Sequence, residues 1–206
     1  MNDLSEHKIM QIDEEKRSRI LNAAISEFTK GYKQASTDVI VREAGISKGL
    51  LFHYFGTKRD LFLFLFVYAV QTVSTELLGL LNPQEKDLLA RWRQQVFLRV
   101  DLCRTYPAIF EFIAATCHAD IHEIAPDLQA YYNSFAETFW PKLFEGLDTS
   151  LFRPDIPAEK ICEIIFIFIQ GYHHKHLGFK DCTLEFDEMV QEIDAYILIL
   201  RKCFYR

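Results

Sequence analysis

The sequence predicts an all-α protein of about nine helices, with an N-terminal three-helix domain within residues 14–74 and a larger helical domain over 75–206. Three observations carry this expectation. Apolar residues recur at spacings of three and four rather than in alternation. Only 6 prolines and 8 glycines interrupt 206 residues, so long stretches contain no breaker. Half of the residues are hydrophobic, enough to bury a substantial core.

The first helix is expected over 14–30, where Ile20, Leu21, Ala24, Ile25 and Phe28 form one stripe and Arg17, Arg19 and Glu27 face elsewhere. Gly31 is its natural stop. Two short helices follow over 38–44 and 48–54, each introduced by a hydroxyl residue able to cap it, Ser36 or Thr37 and then Ser47, with Gly45 between them. A fourth runs over about 57–79 and is closed by Asn82 and Pro83. Further helices are expected over 84–105, 107–116, 127–145, 158–176 and 186–204.

Composition removes several classes. The apolar runs 61–70 and 164–169 fall short of the roughly 20 residues that a bilayer-spanning helix needs, so no membrane partner is expected. The first 15 residues are polar and mixed in charge, without the pattern of a secretory signal, and a cytoplasmic location is expected. Five widely spaced cysteines, Cys103, Cys117, Cys162, Cys182 and Cys203, form no paired motif and are expected as reduced core residues. The net charge of -6 is unevenly spread. Residues 1–60 hold 10 Lys and Arg against 9 Asp and Glu, the remainder 13 against 20, so a polyanion would be met by the first segment.

Residues 37–56 have the length and turn of a helix-turn-helix, in which glycine takes the left-handed conformation and the second helix projects into a major groove. Ile40, Val41, Ala44, Ile46, Leu51 and Phe55 can pack inward, leaving Lys48, Gly49, Leu50, His53 and Tyr54 outside. Thr37 and Ser47, at helix starts, suit phosphate oxygens because unpaired amides and partial positive charge gather there. Lys48 and His53 can reach base edges, Gly49 lets the backbone come close, and Leu50 suits a thymine methyl. Lys58 is placed for another phosphate.

Thr37, Ile40, Ala44-Gly45-Ile46-Ser47, Gly49, Leu51, His53-Tyr54-Phe55 and Lys58-Arg59-Asp60-Leu61 together resemble the signature of the TetR family of regulators, over residues 14–73. Phe52 stands where that family usually has a tyrosine whose hydroxyl touches phosphate, and Leu50 where a small or hydroxylated residue is commoner; both departures bear on which operator is read. The resemblance implies a sequence-specific repressor, a homodimer on palindromic double-stranded operator DNA, released by a small effector.

The rest of the chain is read in that light. Helices 158–176 and 186–204 are apolar nearly all round, and Ile161, Ile165, Phe168, Ile193, Tyr196, Ile197 and Leu200 are expected at a four-helix dimer interface. An effector pocket is expected among Phe97, Cys103, Tyr106, Phe110, Cys117, Tyr131, Phe135, Trp140 and Gln170, mostly apolar with a few directing polar groups, suiting a hydrophobic or aromatic compound. No catalytic residue, cofactor or metal site is expected, since phosphate-loop, nucleophile-elbow and Glu-x-x-His patterns are absent from the sequence. The alternatives are a metal-responsive regulator, through His118 and His122 or His173, His174 and His176, and, more distantly, a helical-bundle enzyme.

Overall fold

A computed structural model describes residues 4–116, 123–176 and 186–206, excepting the side chains of 173–176, 186 and 187. Nine α-helices and no strands form among the described residues. They are α1 (Glu14–Phe28), α2 (Thr37–Ala44), α3 (Lys48–Phe55), α4 (Lys58–Leu80), α5 (Leu88–Thr105), α6 (Pro107–Ala115), α7 (Ala125–Phe144), α8 (Ala158–His176) and α9 (Phe186–Phe204). The helices group into two compact units, Met1–Thr75 with Tyr106–Thr138, and Glu76–Thr105 with Phe139–Arg206. Residues 106–138 thus join the first unit, where the fully buried Phe112 ring meets Phe62 at 5.2 Å and Phe28 at 6.3 Å between centroids.

In the first unit, Asp13 caps α1 by accepting the Lys16 amide at 3.1 Å. Ile20, Leu21, Ala24, Ile25 and Phe28 are buried as the helical stripe requires. Glu27 corrects the sequence reading, because it is buried rather than facing solvent. Its carboxylate accepts the Ser36 amide at 3.0 Å and pairs with Lys30 at 2.6 Å. Burial pushes that carboxyl up, but the hydrogen bonds from Lys30 and Ser36 and the nearby cationic charges outweigh it and hold the group below its ordinary range. Ser36 occupies the N-cap position of α2 without a side-chain capping bond, so Glu27 rather than the expected hydroxyl engages the amide that opens the helix.

The turn between α2 and α3 depends on backbone geometry. Gly45 takes φ 63° and ψ 39°, and the Ile46 amide donates back to Val41 O at 3.0 Å, which closes α2 in a Schellman-type cap. Ser47 then caps α3, its Oγ accepting the Leu50 amide at 3.2 Å. Thr57 and Asp60 cap α4 reciprocally, with the Thr57 amide 3.2 Å from Asp60 Oδ2 and the Asp60 amide 3.1 Å from Thr57 Oγ1. Among the described residues α4 is long and apolar enough to cross a bilayer, contrary to the run-length expectation, but half of its apolar window is buried, with Leu61, Phe62, Leu65 and Ala69 fully so. That burial is the mark of a core helix.

A short arm precedes α1 in two 3-10 turns, Leu4–Glu6 and Lys8–Gln11. Ile9 is fully buried, Arg17 donates to Met10 O at 3.1 Å, and the His7 ring lies 5.4 Å from Phe55 and 4.4 Å from Phe64. Sequence reasoning treats this segment only as polar; the signal it passes over is Ile9-Met10 and Ile12, apolar residues ahead of a capped helix.

In the second unit, Asp87 starts α5, later than residue 84, because its carboxylate accepts the Leu89 and Ala90 amides at 2.9 and 3.3 Å. The same carboxylate accepts the Tyr205 hydroxyl at 2.9 Å and pairs with Arg201, tying the end of α9 to the start of α5. Buried Arg91 spends its guanidinium on backbone carbonyls, Glu85 O at 3.0 Å, Leu143 O at 2.9 Å and Glu145 O at 2.7 Å. Cys162 and Cys203 are free thiols, whereas Cys103, expected as reduced, is disulfide-bonded.

The expected dimer residues need correction. Ile161, Ile165 and Ile193 have no exposed surface, and Ile197 and Leu200 are 9 % and 8 % exposed, so these side chains fill the unit's own core and have little left to give a partner. Phe168 and Tyr196 are half-buried and meet each other, ring centroids 5.1 Å apart. The apolar surface lies on neighbouring positions instead, with Ile164 and Ile167 on α8 at 45 % and 62 % exposed, and Leu198 and Ile199 on α9 at 55 % and 56 %.

Two predictions come from the first unit. A Cβ at Gly45 meets no other atom within 4 Å, so Gly45→Ala is costly only through its positive φ and should lower stability by about 1 kcal/mol in chemical denaturation. The second concerns pH. Burial, with a smaller contribution from the Lys8 charge, holds the His7 imidazole below its ordinary value of 6.5, and its Nδ1 accepts the Ile9 amide at 3.3 Å. Because the folded value is depressed, the stabilisation is complete above about pH 6.5 and is withdrawn as pH falls from there through the folded value. Thermal unfolding at about pH 8 and about pH 5 should show a larger acid loss for the native chain than for His7→Phe.

Candidate nucleic-acid interface

Helices α2 and α3 have the two-sided character that a groove-reading element needs. Ile40, Ala44, Leu51 and Phe55 are buried, and Val41 and Ile46 are half-buried. Behind them, Arg19 of α1 donates its Nε–H to Ala44 O at 2.9 Å, which occupies a carbonyl at the end of α2 and fixes that end to α1. On the outer side Ser47, Lys48, Gly49 and His53 are exposed, and Leu50 and Tyr54 are half-exposed. Among the described residues nothing covers this surface, so a duplex has access to it.

Each expected contact residue has a definable state. Lys48 Nζ pairs with Asp38 Oδ1 of α2 at 2.8 Å, both side chains being exposed. An exposed pair of this kind is worth about 0–1 kcal/mol and exchanges readily for phosphate or a base edge. At Gly49 a Cβ meets nothing within 4 Å, so the protein's own packing does not demand glycine there. The His53 and Tyr54 rings lie 5.6 Å apart on the outer face. Thr37 is the first residue of α2 and is half-exposed.

Lys58 behaves differently from its neighbours. Its amine donates to Ala35 O at 2.7 Å and Lys33 O at 3.4 Å and sits 5.0 Å from the Tyr32 ring centroid. The residue therefore braces the α1–α2 connection, a role that sequence spacing gives no sign of. Lys33, exposed in that same connection, is a cation that the sequence reading leaves out.

The residues expected around an effector fall in both units. Tyr106, Phe110, Tyr131 and Phe135 belong to the first, Phe97, Cys103, Trp140 and Gln170 to the second, and Cys117 lies outside the described residues. Phe97 lies beneath the Arg93 guanidinium at 4.5 Å, and Arg93 is held by Asp194 at 2.6 Å. Trp140 lines a small cavity inside the second unit, together with Leu88, Arg91, Trp92 and Gln95 of α5, Leu143 and Phe144 of α7 and Ile169 of α8. Arg91 and Gln95 interrupt the stripe of Leu88, Leu89, Trp92 and Val96, which is the sequence signal that could have drawn attention to them. No group of three potential metal ligands occurs among the described residues. His118 and His122 lie outside those residues, and the side chains of His173, His174 and His176 are likewise not described.

Comparison with known proteins agrees with this geometry. A model of the family described as bacterial regulatory proteins, tetR family, matches residues 20–65. The HTH-type transcriptional regulator HbdR of Aromatoleum sp. (strain CIB) is 28 % identical over 174 residues, 82 % of this chain and 73 % of that protein. Among solved structures, a TetR family transcriptional regulator from Chloroflexus aurantiacus J-10-FL shares 21 % identity with a TM-score of 0.60, covering 96 % of this chain and 97 % of the other. The fatty acid degradation regulator FadR from Bacillus halodurans shares 18 % identity with a TM-score of 0.65, covering 91 % and 96 %. A helix-turn-helix with an open outer face, the match of residues 20–65 to the tetR family and an all-α fold shared with these regulators agree: the chain carries a DNA-binding domain of the tetR type and is similar throughout to TetR-family transcriptional regulators.

Proposed function

We propose that the chain acts in the cytoplasm as a dimeric repressor, gripping a palindromic operator through α3 and leaving it when a small, largely hydrophobic or aromatic effector binds residues 75–206. The observation that supports this most is the unoccupied outer face of α3, where Lys48, Gly49 and His53 are open while Leu51 and Phe55 behind them are buried. In this reading Thr37 and the capped start of α3 at Ser47 hold phosphates, Lys48 and His53 read base edges, Leu50 and Tyr54 make apolar contacts, and Gly49 admits the duplex backbone.

One eight-residue helix reads too few base pairs to be selective, so two copies must act together at half-sites an integral number of turns apart. Ile164, Ile167, Leu198 and Ile199 are large apolar side chains left in solvent on two helices that pack on each other through Phe168 and Tyr196. A two-fold pairing of α8 and α9 with the same helices of a second copy would cover them in a four-helix bundle. An effector then acts by preferring the dimer state whose α3 separation does not fit the operator, and only its difference in affinity between the two states can drive release.

Fluorescence anisotropy with the DNA upstream of the chain's own gene tests the reading, and binding should be selective and weaken steeply with salt. Lys48→Ala and His53→Ala should change the preferred sequences selected from random DNA, whereas equal loss on all sequences would remove α3 as the reading helix. Gly49→Ala should leave thermal stability unchanged or slightly raised while weakening operator binding by about tenfold or more, since its Cβ meets only the approaching duplex. Ile167→Asp combined with Ile199→Asp should yield a folded monomer by light scattering with operator affinity reduced by at least about tenfold. A dimer that survives both changes would place the interface elsewhere.

A further inference from the structure

On its α5 wall the cavity of the second unit has two polar atoms that the protein itself does not satisfy. Trp92 Nε1 and Gln95 Oε1 have no hydrogen-bond partner, although the two side chains are 3 % and 2 % exposed. They stand three residues apart on α5, hence on one face of it, and both line the same cavity. Buried polar atoms are nearly always paired, so a donor and an acceptor left open together on one cavity wall call for an explanation. One is a donor only and the other an acceptor only. A single hydroxyl satisfies both, accepting from the indole N–H and donating to the amide oxygen.

We infer that this cavity binds the hydroxyl of a neutral, aromatic small molecule, held between Trp92 Nε1 and Gln95 Oε1; the inference rests on the reading of residues 75–206 as an effector domain. The charge of the ligand follows from Arg91. It supplies the cation of the wall, but its guanidinium is already spent on Glu85 O, Leu143 O and Glu145 O. A carboxylate entering here would find the N–H groups of that cation engaged by backbone carbonyls and would meet the Gln95 oxygen as a second acceptor, whereas a hydroxyl makes both of its hydrogen bonds. The aromatic body follows from the walls. Trp92, Trp140 and Phe144 line the cavity, and both indoles already make edge-to-face contacts, with Phe168 at 5.7 Å and Phe166 at 5.6 Å, the kind of contact that a ligand ring can make with them from the cavity side. In this conformation the cavity admits only a group the size of one water. Seating the ring therefore requires a wall side chain to turn away, and that rearrangement is what distinguishes the bound state from the free one.

The chain has 2 tryptophans, and both line this cavity, so their emission reports on it directly. The full-length protein without DNA is titrated with phenol, with toluene, which has the same shape without the hydroxyl, and with benzoate. Phenol should change the emission saturably and bind at least about tenfold more tightly than toluene, while benzoate should bind more weakly than phenol. In Gln95→Met the preference for phenol over toluene should vanish. Equal binding of phenol and toluene by the native protein, tighter binding of benzoate, or no saturable response to phenol, which would mean that the pair holds water only, each overturns the proposal. These comparisons are made on the native chain and stand whether or not the variant folds. Phenol binding that leaves operator affinity unchanged would support the hydroxyl site and separately overturn the effector role.

Discussion

An eight-residue helix does not hold its shape in water by itself, because the cost of nucleation exceeds what two turns of hydrogen bonds return. In the proposed reading, what the chain does with a duplex therefore depends on α3 being held from behind while its front stays empty. Leu51 and Phe55 anchor its inner face. Gly45 sets the direction in which the chain leaves α2, Arg19 fixes the end of α2 to α1, and His7 lies on the far side of Phe55. Lys58 and Glu27 hold one peptide unit at the end of the α1–α2 connection, Lys58 through its Ala35 carbonyl and Glu27 through its Ser36 amide. With all of these contacts made, Ser47, Lys48, Gly49 and His53 remain exposed, so rigidity is gained without covering the outer face of α3.

The electrostatics are local. With 10 cationic against 9 anionic residues in the first 60, this segment lacks the charge to hold nucleic acid indiscriminately. In the proposed reading a phosphate is attracted by the amide-rich start of α3 behind Ser47, and a base is contacted by a small set of side chains. Asp38 beside Lys48 sharpens this arrangement. If Lys48 contacts DNA as proposed, the carboxylate would hold the amine before binding and repel a phosphate that does not displace it well, which would favour the complexes that give Lys48 a good partner.

Much of this was legible in the sequence because the responsible physics is short-range. Helical spacing marked all nine helices among the described residues, and Gly45 and Ser47 marked the turn before α3 and its cap. What escaped is set by contacts distant along the chain. Glu27 reads as a surface residue until Ser36 is brought to it, and Lys58 reads as a phosphate contact until Ala35 O is in reach. The grouping of 106–138 with the first unit depends on Phe112 meeting Phe28 and Phe62, and no local pattern encodes that.

Helices α8 and α9 show the same limit in another form. A helix apolar on every side announces that it needs two partners, but periodicity does not say which row faces which. In α8, Ile161, Ile165 and Ile169 follow one another at four-residue steps into the core, leaving Ile164 and Ile167 outside. In α9, Ile193, Ile197 and Leu200 turn inward and Leu198 and Ile199 outward. The inner row gives the unit its stability and the outer row lies in water, where large aliphatic side chains gain most from being covered. Since both helices carry the same division, one surface made of their outer rows can meet a copy of itself, and the apolarity that looks excessive in a single chain becomes the amount that a two-fold pairing needs.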